Sequence, residues 1–189
     1  LDDVDRALDP EDLLITDADG DRVLALAGVM GGASTEVSAT TRDLLIEAAH
    51  FDAVTVARTA RRHRLPSEAS RRFERGVDTD LADRAAELAV RLLVEFGGGT
   101  PGPTTDVDER VPAAPIRIPA DLPGRIVGCS WPAARVVASL REVGCAVQED
   151  GTDLVVTAPT WRPDLTSGVD LTEEVARLQG YDTIPSVLP

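Results

Sequence analysis

The chain has 189 residues, 43% of them hydrophobic and 28% charged, an ordinary globular composition and enough length to bury a core without a metal or disulfide staple. Its formal net charge of -14 argues against nonspecific binding to nucleic acid, and no apolar run approaches the roughly 18 residues that a membrane-spanning helix needs. Aromatic residues make up only 3%, so Leu, Val and Ala must build the core. The first residue is Leu1 rather than Met and no secretory signal opens the chain, which points to a fragment or a processed chain. Cys129 and Cys145 fit no zinc spacing and read as buried free thiols of a reducing, cytoplasmic setting.

In chain order, "VLALAGV" predicts a strand running into the glycine turn "GVMGG", and "DLLIEAA" predicts a second short apolar strand. "FDAVTVARTARRHR" reads as a helix with Asp52 as its N-cap. "PSEASRRFERG" predicts a short helix capped by Ser67, with Ala69 and Phe73 on one face and Gly76 as its stop. The clearest helix follows, with Leu81, Ala85, Leu88, Ala89, Leu92, Leu93 and Phe96 at helical spacing and Gly97 at its end. A Gly-, Pro- and Thr-rich stretch then carries no apolar period and reads as a linker.

Beyond it, "PIRIP" predicts a strand. Ser130 and Pro132 open a helix that turns Val136, Val137, Leu140 and Val143 inward and stops at Gly144. "CAVQEDGTDLVVTA" predicts a hairpin about Asp150-Gly151. The last helix is predicted in "DLTEEVARLQG", with Asp170 as N-cap, Glu173 completing a capping box and Gly180 at the end. These elements give an α+β fold in two small mixed units, 1–97 and 115–189, joined by a linker over 98–114.

Four features carry chemistry. All 19 basic residues are arginine, and seven of them lie between Arg58 and Gly76, among them Arg61, Arg62 and Arg71. The guanidinium fork suits phosphate oxygens, although a charge run serves equally as a solvated helix face. Gly28, Gly31 and Gly32 let a backbone approach a ligand closely or simply make a tight turn. Glu47, inside the apolar run "LLIEAA", either finds a donor from protein or ligand or points outward from an edge strand. Asp164, Asp170, Glu173 and Glu174 gather near one helix N-terminus. Helix capping accounts for two of them, and the rest leave room for a hard cation such as magnesium without a complete cage.

At these residues a family resemblance enters. "GVMGGASTEVSATTRDLLIEAAHFDAVTVARTARRHRLPSEASRRFERGVD" resembles the editing domain of the β subunit of bacterial phenylalanyl-tRNA synthetase, and "VTAPTWRPDLTSGVDLTEEVARLQGYDTIP" resembles the B5 domain that follows it. The resemblance implies an α2β2 heterotetramer that joins phenylalanine to tRNA(Phe) using ATP. Its α subunit holds the synthetic site, and its β editing domain hydrolyses tyrosine wrongly attached to the tRNA. It places Glu47 on the glutamate that meets the tyrosine hydroxyl, Ala69 on the small residue that leaves room for the ring, Ser67 on a position that is often threonine, and Gly28 and Gly31 on the pocket wall. It makes Arg61, Arg62 and Arg71 candidate tRNA contacts. It assigns Asp164, Asp170, Glu173 and Glu174 to a magnesium ion shared with the α subunit. The family's upstream His-Ala-Phe-Asp motif has no counterpart, so neither His50 nor His63 inherits its role, and the chain is expected to begin partway through the editing domain. The rival expectation is a structural, RNA-docking module without activity of its own.

Overall fold

A computed structural model describes residues 2–186; the outermost residues of the two expected domains, Leu1 and 187–189, lie outside it. The chain divides into two compact units, Leu1–Pro103 and Thr104–Pro189. Both mix helices with a small antiparallel sheet, so the α+β expectation holds.

The first unit carries a three-stranded sheet in the order β1-β2-β3, formed by β1 (Leu14–Thr16), β2 (Val23–Leu26) and β3 (Met30–Gly31). The turn from β2 to β3 is Ala27-Gly28-Val29, and Gly28 has φ +67. A three-residue hairpin loop needs one left-handed residue, which glycine adopts without a Cβ penalty. Space is tight there as well: a Cβ on Gly28 would meet Val56 Cγ2 at 3.0 Å, Phe51 Cδ2 at 3.1 Å and Phe73 Cγ at 3.2 Å.

Helix α1 (Ala53–Arg62) starts where Asp52 Oδ1 accepts from the Thr55 amide at 2.7 Å, as predicted. Helix α2 (Glu68–Phe73) starts where Ser67 Oγ accepts from the Ser70 amide at 3.0 Å, again as predicted. Leu26, Val29, Val56, Ala60 and Leu65 form the core of this unit, with Phe51 and Phe73 packed against it at a ring-centroid separation of 5.1 Å. The long helix α3 (Ala82–Gly97) has the expected extent and is stopped by Gly98 at φ +65. None of its residues is buried, and Phe96 is 78% exposed. Its apolar spacing therefore fixes a helix without fixing a core.

The predicted strand "DLLIEAA" is absent: residues 41–52 belong to no sheet, and Leu45 is 96% exposed. The reason lies in pairing. The central strand β2 has neighbours on both sides, β3 is two residues long, and none of these edges takes up the run. An apolar run without a ladder partner becomes a wall rather than a strand.

A charged clasp ties the start of the first unit to the end of α1. Asp12, its side chain shut off from solvent, accepts from Arg62 Nη1 at 2.5 Å through Oδ1 and meets His63 Nε2 at 2.7 Å through Oδ2. Burial pushes the Asp12 carboxyl up, but the Asp9 amide, His63 and Arg62 more than offset it, and the net shift is downward. Asp12→Ala is expected to destabilise the unit by about 1.5–3 kcal/mol, the range for a hydrogen bond to a charged group. A carboxylate with a depressed folded value stabilises above its unfolded value of about 3.9 and loses that contribution as pH falls through the folded value. Urea unfolding of parent and variant should therefore differ at neutral pH and converge in strong acid.

From 98 to 115 the chain is exposed and has no regular structure. The second unit begins with β4 (Ile116–Pro119), followed by α4 (Leu122–Val127), α5 (Ala133–Glu142), β5 (Ala146–Asp150), β6 (Asp153–Thr157) and α6 (Gly168–Gln179). Its sheet runs β4-β6-β5, all antiparallel, with Asp150 opposite Asp153 at the predicted hairpin. Ile118, Leu154 and Val156 from the sheet, Val136, Val137 and Leu140 from α5, and Leu171 and Val175 from α6 form one core. Cys145 joins it, whereas Cys129 is half-buried, with Sγ 3.4 Å from the Thr183 carbonyl, so only one of the two thiols is enclosed as expected.

Helix α6 starts one turn earlier than predicted. Ser167 is the N-cap and Asp170 occupies the third helical position, the two exchanging side-chain-to-backbone bonds as a capping box. Gly168 permits that start, because a Cβ there would meet Ile118 Cγ2 at 2.9 Å and Leu122 Cδ2 at 3.0 Å. Glu173 consequently lies outside the box.

Candidate functional site

A cavity of about 660 Å³ opens in the first unit, a volume within the range of small-molecule pockets. Gly28, Gly31, Glu47, Ser67 and Ala69 all line it. Four sequence-distant pieces thus meet on one space: the β2–β3 turn, the irregular run carrying Glu47, the N-terminus of α2 and one face of α3. Ala82, Ala85 and Ala89 contribute that last face and Phe73 a further wall, none of which the sequence reading assigned to the site. A signal for them existed. The three alanines recur at i, i+3 and i+7 of α3, a stripe of small residues on a helix that buries nothing.

The lining is mostly apolar, and Glu47 is the acid in it. It makes no hydrogen bond or ion pair with any of the described residues. Glu47 is exposed, yet the groups around it desolvate the carboxyl enough to push its pKa up. An acceptor placed there recognises a ligand that brings a hydrogen and offers nothing to one that does not. Ala69, also in the lining, presents only a methyl group.

The three candidate arginines differ in availability. Arg62 is held within the chain, pairing with Glu11 at 2.6 Å and Asp12 at 2.5 Å and lying 3.6 Å from Asp9. Arg71 is exposed and pairs with Glu68 on its own helix at 3.2 Å, while Arg61 is exposed on α1. Part of the basic cluster therefore braces the fold, and part of it faces outward.

The four acids of the second unit do not form a cage. Arg162 Nη2 donates to Asp164 at 2.6 Å and to Glu174 at 2.9 Å, and Arg177 Nη2 donates to the other oxygen of Glu174 at 2.5 Å. These guanidinium partners hold the carboxyls of Asp164 and Glu174 below their ordinary values. Asp170 Oδ2 accepts from the amides and hydroxyls of Thr166 and Ser167, and those bonds lower it too. Glu173 is exposed on α6. Among the described residues no three His, Cys, Asp or Glu side chains are arranged to hold a metal ion.

Residues 1–98 match the family model described as B3/4 domain, and residues 116–181 match that of the tRNA synthetase B5 domain. The chain belongs to the B3/4 domain family. The B3/4 unit contains the cavity and the B5 unit contains the arginine-bound acids. Over its full length the chain is similar to proteins named phenylalanine--tRNA ligase beta subunit: it is 55% identical to that of Thermobifida fusca, 54% to that of Leifsonia xyli and 53% to that of Streptomyces avermitilis. It spans 22–23% of the length of those relatives. No helix among the described residues is long and apolar enough to cross a membrane.

Proposed function

We propose that the B3/4 unit supplies an editing pocket for tyrosyl-tRNA(Phe), as part of the β subunit of a phenylalanine–tRNA ligase that works with an α subunit in an α2β2 assembly. The observation that carries this reading is Glu47, an unpaired carboxyl on the wall of a largely apolar cavity. A phenol hydroxyl satisfies it; the bare ring of phenylalanine leaves it unsatisfied, so the correct product gains less from entering. Among the described residues no nucleophile–base pair lines the cavity, and in this reading hydrolysis rests on a positioned water and on the terminal hydroxyls of the tRNA, with the protein supplying orientation. Arg61 and Arg71 are the candidates for phosphate contact, since the Arg62 guanidinium is engaged within the chain. The test is hydrolysis of preformed tyrosyl-tRNA by the complete ligase with substitutions at Glu47 and Ala69. Undiminished hydrolysis in both variants would sink the reading.

A magnesium ion shared with the α subunit fits this chain only in part. Asp164 and Glu174 suit the arginines that already bind them, which leaves exposed Glu173 and the Asp170 oxygen outside the capping box to face a cation. Hard cations need several oxygen ligands, so the chain by itself is expected to bind magnesium with a dissociation constant on the order of millimolar or weaker. Calorimetric titration finding micromolar affinity would contradict shared ligation.

A further inference from the structure

We propose that Ser67 is a positioning residue: its hydroxyl fastens α2 to the glycine turn and sets the gap between the two cavity walls, instead of contacting the ligand as a donor. The inference rests on the reading of the cavity as an editing pocket and goes beyond it.

A serine hydroxyl has one hydrogen and two lone pairs. In Ser67 the hydrogen goes to the Val29 carbonyl at 2.6 Å, and one lone pair accepts from the Ser70 amide at 3.0 Å. Nothing is left to donate. The surroundings hold this arrangement in place. The Ser67 amide donates to the Leu65 carbonyl at 2.8 Å, and the buried Ser70 hydroxyl is shared between the carbonyls of Ser67 at 3.0 Å and Leu65 at 3.2 Å.

The two ends of the clasp stand next to the walls they control. Val29, 2% exposed, follows Gly28 and precedes Gly31 by two residues; Ala69 follows Ser67 by two. Gly28 lies against Val56, Phe51 and Phe73, close enough that an added Cβ would be crowded by all three. The bond from Ser67 to Val29 therefore joins a wall backed by that core to the helix turn that presents Ala69. A ligand positioned between them depends on that separation, and small displacements in a positioned site are costly.

Three variants in the complete ligase separate the clasp from the cap. Ser67→Thr keeps the hydrogen and both lone pairs. Ser67→Asp keeps an acceptor for the Ser70 amide but has no hydrogen to give at neutral pH. Ser67→Ala loses both bonds and introduces no charge. Amide hydrogen exchange over residues 28–31 should accelerate about 10-fold in the Asp and Ala variants, the scale of one lost hydrogen bond, and stay near the parent rate in the Thr variant. In hydrolysis of preformed tyrosyl-tRNA the same two variants should lose about 10-fold in kcat with KM changed by about 2-fold or less, as expected for misplacement rather than for loss of a uniform binding contact. Unchanged exchange across the turn in both variants would overturn the clasp, as would a loss that falls wholly on KM. If substitutions at Glu47 and Ala69 leave hydrolysis intact, the pocket reading fails instead, and the exchange measurement still decides the clasp.

Discussion

If the cavity is the editing pocket proposed above, Ala69→Trp in the complete ligase is expected to leave tyrosyl-tRNA almost uncleared, while Glu47→Ala is expected to blur the choice between tyrosine and phenylalanine. The two side chains line the same cavity but act on different parts of a ligand. Ala69 contributes only a methyl group, so an indole in its place fills space that the aminoacyl group needs. Displacing the ester from its attacking water costs on the order of 100-fold or more. Glu47 contributes an acceptor, and losing a hydrogen bond to a charged group costs about 1.5–3 kcal/mol, or about 10- to 150-fold in discrimination. The measurement is deacylation of preformed tyrosyl- and phenylalanyl-tRNA, taken separately. Ala69→Trp should depress both rates, whereas Glu47→Ala should lower the tyrosyl rate toward the phenylalanyl one. Identical patterns in the two variants would mean that Glu47 is only a wall and that discrimination lies elsewhere.

The sequence was most legible where the physics is local. Asp52 and Ser67 cap their helices as predicted, because a cap needs only a side-chain oxygen within three residues of its amide. The Asp150-Gly151 hairpin was readable for the same reason. Strands were harder, since a strand exists only if another part of the chain offers it an edge. "LLIEAA" has the apolar character of a strand but no partner, and the same irregularity places Glu47 on the cavity. The short strands β1 and β3 went unread because two or three residues carry too little pattern.

Helix α6 shows a subtler limit. Both Ser167 and Asp170 are good capping residues, and the earlier start goes with their capping box and with the close packing of Gly168 against Ile118 and Leu122. The site residues follow the same division. Gly28, Gly31, Glu47, Ser67 and Ala69 are pocket candidates through the family resemblance, and the fold brings them to one space. Which arginine faces outward was not readable, because the partners of Arg62 lie about fifty residues away. Nor was the pairing of Asp164 and Glu174 with Arg162, which depends on α6 folding back beside the 162–164 turn.

That pairing leads to the second large effect. Arg162→Ala is expected to destabilise the B5 unit by about 2–3 kcal/mol, the upper part of the range for charge-assisted hydrogen bonds. The group left behind matters most. Glu174 is 8% exposed and would keep Arg177 alone, while Asp164 would lose the donor of all its side-chain bonds. Arg162 is the first cause of the lowered pKa of both acids. A depressed carboxylate stabilises above its unfolded value, about 3.9 for Asp and 4.3 for Glu, and loses that contribution as pH falls through its folded value. The stability gap between parent and Arg162→Ala should therefore be full near neutrality, begin to narrow at about pH 4 and close as the pH falls through the lowered folded values. Thermal unfolding across that range measures it. The variant also separates two roles for the acids. If they serve chiefly as partners of Arg162, magnesium should not restore the lost stability at concentrations well below millimolar. If they are held ready for a cation, removing the guanidinium should free them to bind it, and added magnesium should raise the melting temperature of Arg162→Ala far more than that of the parent.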